Sequence, residues 1–217
     1  MTPGAAPTVL GTVLAEAQRR GFIGPGPIEP HLAHAQAFLD ALAGAPAGHV
    51  VDLGSGGGLP ALALAEWEPR RSFLLVESQQ RRAAFLQEAI TELALVPRVQ
   101  VAHGRAEDVA RAHLGEAAVV TARAFGPPSV TAECAAPFLR EGGWLLVSEP
   151  PAPDAPDRTR WPADGLAVLS QELGPRWERR GATVQVIVQV APPPAWVPRR
   201  NGVAAKRPVF VEGSRTS

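Results

Sequence analysis

A chain of 217 residues, 46% of them hydrophobic, is long enough to bury a substantial core and fits one α/β domain with a modest N-terminal extension. Its formal net charge of zero excludes a global field drawing the protein to a polyanion or an anionic membrane, so any nucleic acid must be met by a local basic patch. One cysteine, Cys134, excludes an internal disulfide, and the lack of a secretory-type start or of an apolar run of ~18 residues predicts a soluble, cytoplasmic protein.

Residues 8–20, TVLGTVLAEAQRR, carry apolar side chains at helical spacing after Pro7 and stop at Gly21, which predicts a short helix. A glycine and proline hinge, GFIGPGPIEP, follows it. HLAHAQAFLDALAG predicts a second helix with Leu32, Ala35, Leu39 and Leu42 on one face and Gly44 as its stop. From His49 onward, short apolar runs alternate with longer amphipathic ones, the pattern of β-α-β units on a mostly parallel sheet. Strands are expected at 49–53, 72–76, 98–102, 117–121 and 142–147, with helices between them. SQQRRAAFLQEAITELAL is the clearest of those helices, since Ala83, Leu86, Ala89, Ile90 and Leu93 share one face. The prolines of SEPPAPDAPDRTRWP forbid a regular helix and imply an extended loop. LAVLSQEL and ATVQVIVQVA then read as a closing pair of strands. The segment from Pro192 is proline-rich and then basic, the composition of a poorly packed arm. The expected division is a helical extension at 1–47, an α/β domain at 48–191 and a tail at 192–217.

The stretch VVDLGSGGGLP bears the clearest chemistry. An apolar strand ending in Asp52 opens into Gly54, Gly56, Gly57 and Gly58, a loop whose backbone can closely approach a nucleotide-like ligand. A dinucleotide fingerprint would need a third glycine where Leu59 stands. The Asp-x-Gly-x-Gly-x-Gly form instead resembles the first motif of class I methyltransferases that bind S-adenosyl-L-methionine. Ligands of such sheets lie beyond the carboxyl ends of the strands, and further candidates fall there. Asp52 can order the glycine loop or receive the methionine ammonium; its plainer role is as a turn former. Glu77, 25 residues after Asp52, is placed to accept from both ribose hydroxyls. In HGRAED, Ala106 and Glu107 can border an adenine ring, although acids also open helices for dipole reasons. Arg123 in TARAFGPP can meet the cofactor carboxylate or an RNA phosphate. The five histidines form no metal-ligand spacing, so no metal is expected.

VVDLGSGGGLP, LLVESQQRRAAFL, VAHGRAED and VTARAF, in this order and spacing, together resemble the glucose-inhibited division protein B family, the RsmG-type 16S ribosomal RNA guanine-N7 methyltransferases. The likeness runs from about Gly21 to Val147. It implies a Rossmann-like, seven-stranded class I methyltransferase fold, S-adenosyl-L-methionine as cofactor, and 16S ribosomal RNA or the small ribosomal subunit as partner of a monomeric enzyme. The implied cofactor site is Gly54, Leu59, Glu77, Ala106, Glu107 and Arg123, joined on the loop's own pattern by Asp52, Gly56 and Gly58. His34 matches a histidine typical of the family's N-terminal helix. The departures lie on the substrate side. An upstream Asn-Leu-Thr motif is missing, Ala33 stands in place of the arginine before the histidine, Ala61 in place of the glycine after Leu-Pro, and Ser148 in place of the lysine after strand five.

Guanine N7 carries an unprotonated lone pair at neutral pH, so methyl transfer to it needs alignment and water exclusion rather than a general base. No catalytic residue is assigned for that reason. Arg199, Arg200, Lys206 and Arg207, preceded by Trp196, form the local basic cluster through which the tail would hold RNA. Two other readings stand beside this one: a diverged methyltransferase acting on another RNA or a small molecule, and a non-catalytic module that binds RNA or the ribosome.

Overall fold

The computed structural model describes residues 8–150 and 160–211. The chain enters through α1 (Val9–Arg19) and α2 (Glu29–Ala43). Strands β1 (Val50–Leu53), β2 (Phe73–Glu77), β3 (Val99–His103), β4 (Ala117–Ala122) and β5 (Leu139–Glu149) follow. They are linked by α3 (Ala61–Trp67), α4 (Gln80–Glu92), the short α5 (Ala106–Val109) and α6 (Pro128–Ala135). After β5 come α7 (Ala163–Ala167), β6 (Gln171–Arg179), β7 (Ala182–Gln189) and α8 (Val203–Lys206). The seven strands lie in the order β3-β2-β1-β4-β5-β7-β6. β1 to β5 run parallel, while β7 is antiparallel to both β5 and β6.

Local sequence explains the central strands. β1, β2 and β4 are buried along their whole length and apolar but for Asp52, Thr121 and the terminal Glu77, the near-continuous pattern of strands covered on both faces. One face holds Leu14, Phe38, Leu62, Phe85 and Leu86 from α1 to α4. The other holds Ala106, Cys134, Phe138, Leu166 and Phe210. At the helical entry, the Thr8 hydroxyl caps α1 by accepting from Gly11 N–H at 3.0 Å, and Gln18 Nε2 donates to both Gly24 O and Gly26 O at 2.8 Å. The glycine and proline hinge is thus pinned against α1. Arg179 ties α2 to the sheet edge by donating to both oxygens of Asp40, at 2.8 and 2.6 Å.

Two elements differ from expectation. In LAVLSQEL only the last residues enter a strand, because α7 runs to Ala167 and β6 begins at Gln171 after Ser170 turns the chain at φ 57°. β6 continues through Gly174 and Pro175, where its register to β7 shifts between Leu173 and Arg176. A proline without a ladder donor is tolerated there because β6 is the edge strand and the shift is a bulge. The second difference is the C-terminal arm. It packs on α5 and α6, burying Val197, Ala204 and Phe210, the last in the space left by the missing side chain of Gly165 and 6.4 Å from the Trp161 ring. Most of the extended loop expected after β5, residues 151–159, lies outside the described residues, as do 1–7 and 212–217.

Candidate functional site

The strand order reverses between β1 and β4, and in such sheets the ligand crevice opens above the carboxyl ends at that point. Three adjoining cavities occupy it. The first, about 280 Å³, is lined by Gly54, Glu77, Ala106, Glu107, Phe125 and Cys134 among others. The second, about 350 Å³, is bounded by Phe22, Ile23, His31, Gly56, Leu59 and Arg123. The third, about 450 Å³, is walled by His34, Arg123, Phe125, Pro128, Ser148 and Glu149. Ala124 lines all three, held at φ 54°. A non-glycine residue in that region is strained by roughly 1–2 kcal/mol, and such strain gathers where a loop must present its backbone to a ligand.

Glu77, 3% exposed at the end of β2, is held by two backbone donors. Gly56 N–H reaches its Oε2 at 2.9 Å and Gln79 N–H its Oε1 at 2.7 Å. Each carboxylate oxygen keeps a lone pair for a further donor, which suits a vicinal diol. Asp52, 1% exposed, lies beneath the glycine loop and accepts from the Thr121 hydroxyl at 2.6 Å through Oδ1. Burial pushes its carboxyl up to about 6, against the hydrogen bonds of Thr121 and Ser55. Its Oδ2 is buried without a partner, and so is Nε of Arg82, which lines the first two cavities. An orphaned acceptor and an orphaned donor fit a ligand end that carries both an ammonium and a carboxylate.

Arg123 leaves the end of β4 and bridges the second and third cavities, its Nη2 donating to His31 Nδ1 at 2.9 Å. His34 stacks on Phe38 at 5.8 Å. Burial, then the charges of Arg123 and His31, lower its pKa to about 4, so the imidazole facing the third cavity is neutral at physiological pH. Glu149, in the same cavity, accepts from Trp161 Nε1 at 2.9 Å and pairs with Arg160 at 3.0 Å.

The cavities gather Gly54, Gly56, Leu59, Glu77, Ala106, Glu107, Arg123 and His34. Asp52 and Gly58 line none of the three: Asp52 is buried beneath the glycine loop, and Gly58 serves packing, since a Cβ there would meet Leu62 Cδ1 at 2.3 Å. The basic tail residues divide. Arg199 Nε donates to Glu133 Oε1 at 2.6 Å, its Nη2 to Glu133 Oε2, and Nη2 also to Arg207 O at 2.8 Å. Arg199 is therefore spent inside the fold, while Arg200, Lys206 and Arg207 are exposed and line none of these cavities. Sequence reasoning missed Ala124, Phe125, Thr121, Arg82 and His31 as site residues. VTARAF contained three of them, but only the arginine stood out by charge. Among the described residues, no group of three or more His, Cys, Asp or Glu could hold a metal ion, and no helix is long and apolar enough to cross a membrane.

Comparison with known proteins agrees with this geometry. The family model described as GidB, rRNA small subunit methyltransferase G, matches residues 28–149. A protein of Roseiflexus castenholzii called ribosomal RNA small subunit methyltransferase G is 38% identical over 187 residues, 80% of this chain and 78% of that one. One of the same name from Kineococcus radiotolerans is 50% identical over 100 residues, 45% of this chain but only 38% of its own length. The solved structure of an O-methyltransferase family protein from Burkholderia thailandensis shares the fold at TM-score 0.55 and 15% identity, over 84% of this chain and 60% of that one.

Proposed function

The chain belongs to the GidB family, rRNA small subunit methyltransferase G, and from that premise we infer that it transfers a methyl group from S-adenosyl-L-methionine to N7 of a guanine in 16S ribosomal RNA. The observation that carries this reading is the meeting of three cavities at Ala124: a nucleoside-sized pocket at Glu77, a polar pocket at Arg123, and a larger chamber at His34. A donor occupying the first two would point its reactive end toward an acceptor in the third.

When bound, the sulfonium cofactor supplies an electrophilic methyl carbon. The protein's own residues bind and align. Glu77, locked by Gly56 and Gln79, would accept the ribose hydroxyls, and Ala106 and Glu107 would border the adenine. Asp52 Oδ2 would face the ammonium and Arg82 and Arg123 the carboxylate. In the third cavity, neutral His34 offers a hydrogen-bond partner without adding charge, and Phe125 and Pro128 offer apolar faces to a base. N7 needs no deprotonation, and a site without a dedicated base suffices for it. The positive charge that develops on the purine lies near Glu149, whose own charge is shared with Arg160. A ribosomal RNA substrate would have the protein work in the cytoplasm, and Arg200, Lys206 and Arg207, exposed and free of the cavities, are available to RNA phosphates.

Labelled S-adenosyl-L-methionine with hypomethylated 30S subunits, and in parallel with naked 16S RNA, is expected to leave label at a single guanine N7 in at least one of the two. Label on another RNA, another atom, or none at all would reject the assignment and return the diverged-enzyme or binding-module readings.

The buried carboxylate adds a pH dependence. With Asp52 titrating at about 6 and only its ionised form able to meet an ammonium, cofactor affinity is highest near neutrality and falls as pH drops through 6. At pH 5 it should be about tenfold weaker than at pH 7.5. Calorimetry across that range is expected to show this slope in the wild type and none in Asp52→Asn; a flat wild-type profile would remove Asp52 from the ammonium site.

A further inference from the structure

We propose that the C-terminal segment 196–211 is a strap that positions the Glu107 carboxylate to recognise the exocyclic amine of the cofactor's purine, with Arg199 as its positioning residue. The proposal rests on the cofactor reading above, and goes beyond it by giving adenine selection to a part of the chain outside the 28–149 match.

Gly202 starts α8 in the left-handed region, φ 74°, and that turn directs its N–H to Glu107 Oε1 at 3.0 Å. One residue earlier, Asn201 Nδ2 donates to Asp108 Oδ2 at 2.6 Å. The strap thus grips two successive carboxylates of α5, one of which lines the nucleoside-sized cavity. Both flanks are anchored. On one side Arg199 engages both oxygens of Glu133, a carboxylate only 3% exposed on α6, beside Cys134 of the cavity wall. On the other, Ser129 Oγ accepts from Val209 N–H at 3.1 Å and Phe210 fills the space over Gly165.

The consequence lies in the orientation of Glu107. With Oε1 engaged by Gly202, Oε2 stands 3.8 Å from Arg105 Nε, beyond hydrogen-bond distance, and retains lone pairs for a donor in the cavity. An adenine amine satisfies it. A hypoxanthine carbonyl at the same position would set oxygen against oxygen. A strap that fixes the carboxylate sharpens this choice; a released strap lets the side chain turn away and accept either base. The Arg199 to Glu133 pair holds the strap in place, and neither residue touches the ligand.

The test compares S-adenosylhomocysteine with S-inosylhomocysteine by calorimetry on the full chain. Wild type is expected to prefer the adenine ligand by about tenfold or more, the span of one hydrogen bond to a charged group. In Arg199→Ala the preference should fall to about twofold or less. Arg199→Lys, which keeps the charge, should retain most of it, and Asn201→Ala, a change at an exposed residue, should lose about threefold. A merely structural role for the strap would weaken both ligands alike and leave the ratio unchanged. Should Arg199→Ala not fold, Asn201→Ala decides. An unaltered ratio in the folded variants, or a wild type indifferent to the base, overturns the strap. Wild type binding neither ligand overturns the cofactor reading itself, and the strap with it.

Discussion

Glu77→Ala is expected to weaken S-adenosyl-L-methionine binding by about 100-fold or more, the largest loss of affinity from any single change at the site. The carboxylate does two things at once. It accepts from Gly56 N–H and Gln79 N–H, joining the loop after β1 to the loop after β2, and it offers the remaining lone pairs to a diol. Truncation removes the diol acceptor and leaves two backbone donors unpaired, so the cradle loosens where it must hold the ribose. A bond to a charged group contributes about 1.5–3 kcal/mol, and two such losses set the 100-fold floor. Glu77→Gln is less damaging but still costly, because its amide nitrogen must face one of those N–H donors; about tenfold or more is expected. Calorimetry measures both, with thermal melts to show that each variant folds. An affinity within about threefold of wild type for Glu77→Ala would separate Glu77 from the ribose.

The reach of the sequence followed the range of the interactions. Strands β1, β2 and β4 were legible because a strand covered on both faces is a nearly continuous apolar run, and α4 because five apolar residues recur on one face. Glu77 and Arg123 were legible because parallel topology delivers strand ends to one crevice. The strap was not. Arg199 pairs with a residue 66 positions earlier and Gly202 with one 95 positions earlier. Nothing local distinguishes an arginine neutralised by a distant Glu133 from its solvated neighbour Arg200. Ala124 escaped for another reason: its part in the site comes from a backbone angle, which an alanine side chain does not announce.

The glycines of the loop divide the same way, and a pair of substitutions should separate them. Gly57→Ala is expected to destabilise the protein by about 2 kcal/mol, with a melting temperature roughly 4–8 °C lower. A Cβ at Gly57 would lie 2.5 Å from Ile23 Cγ1 and 2.9 Å from the backbone oxygen of Phe22. The hinge cannot retreat cheaply, since Phe22 N–H donates to Ala17 O at 2.8 Å and its ring packs on Phe85 at 5.6 Å. Gly57 is therefore glycine so that the N-terminal helices can cross the loop, and its substitution acts on stability first. Gly56→Ala should behave oppositely. A Cβ there meets only Gly54 O, at 3.6 Å, and φ is 52°, so the strain is about 1 kcal/mol and the melt shifts little. Its methyl would enter the second cavity, beside the N–H that holds Glu77, and cofactor affinity should fall about tenfold or more. Melts and calorimetry on both variants give a crossed pattern, stability for one and affinity for the other. If Gly56→Ala bound the cofactor as wild type does, that side of the loop would not face the ligand.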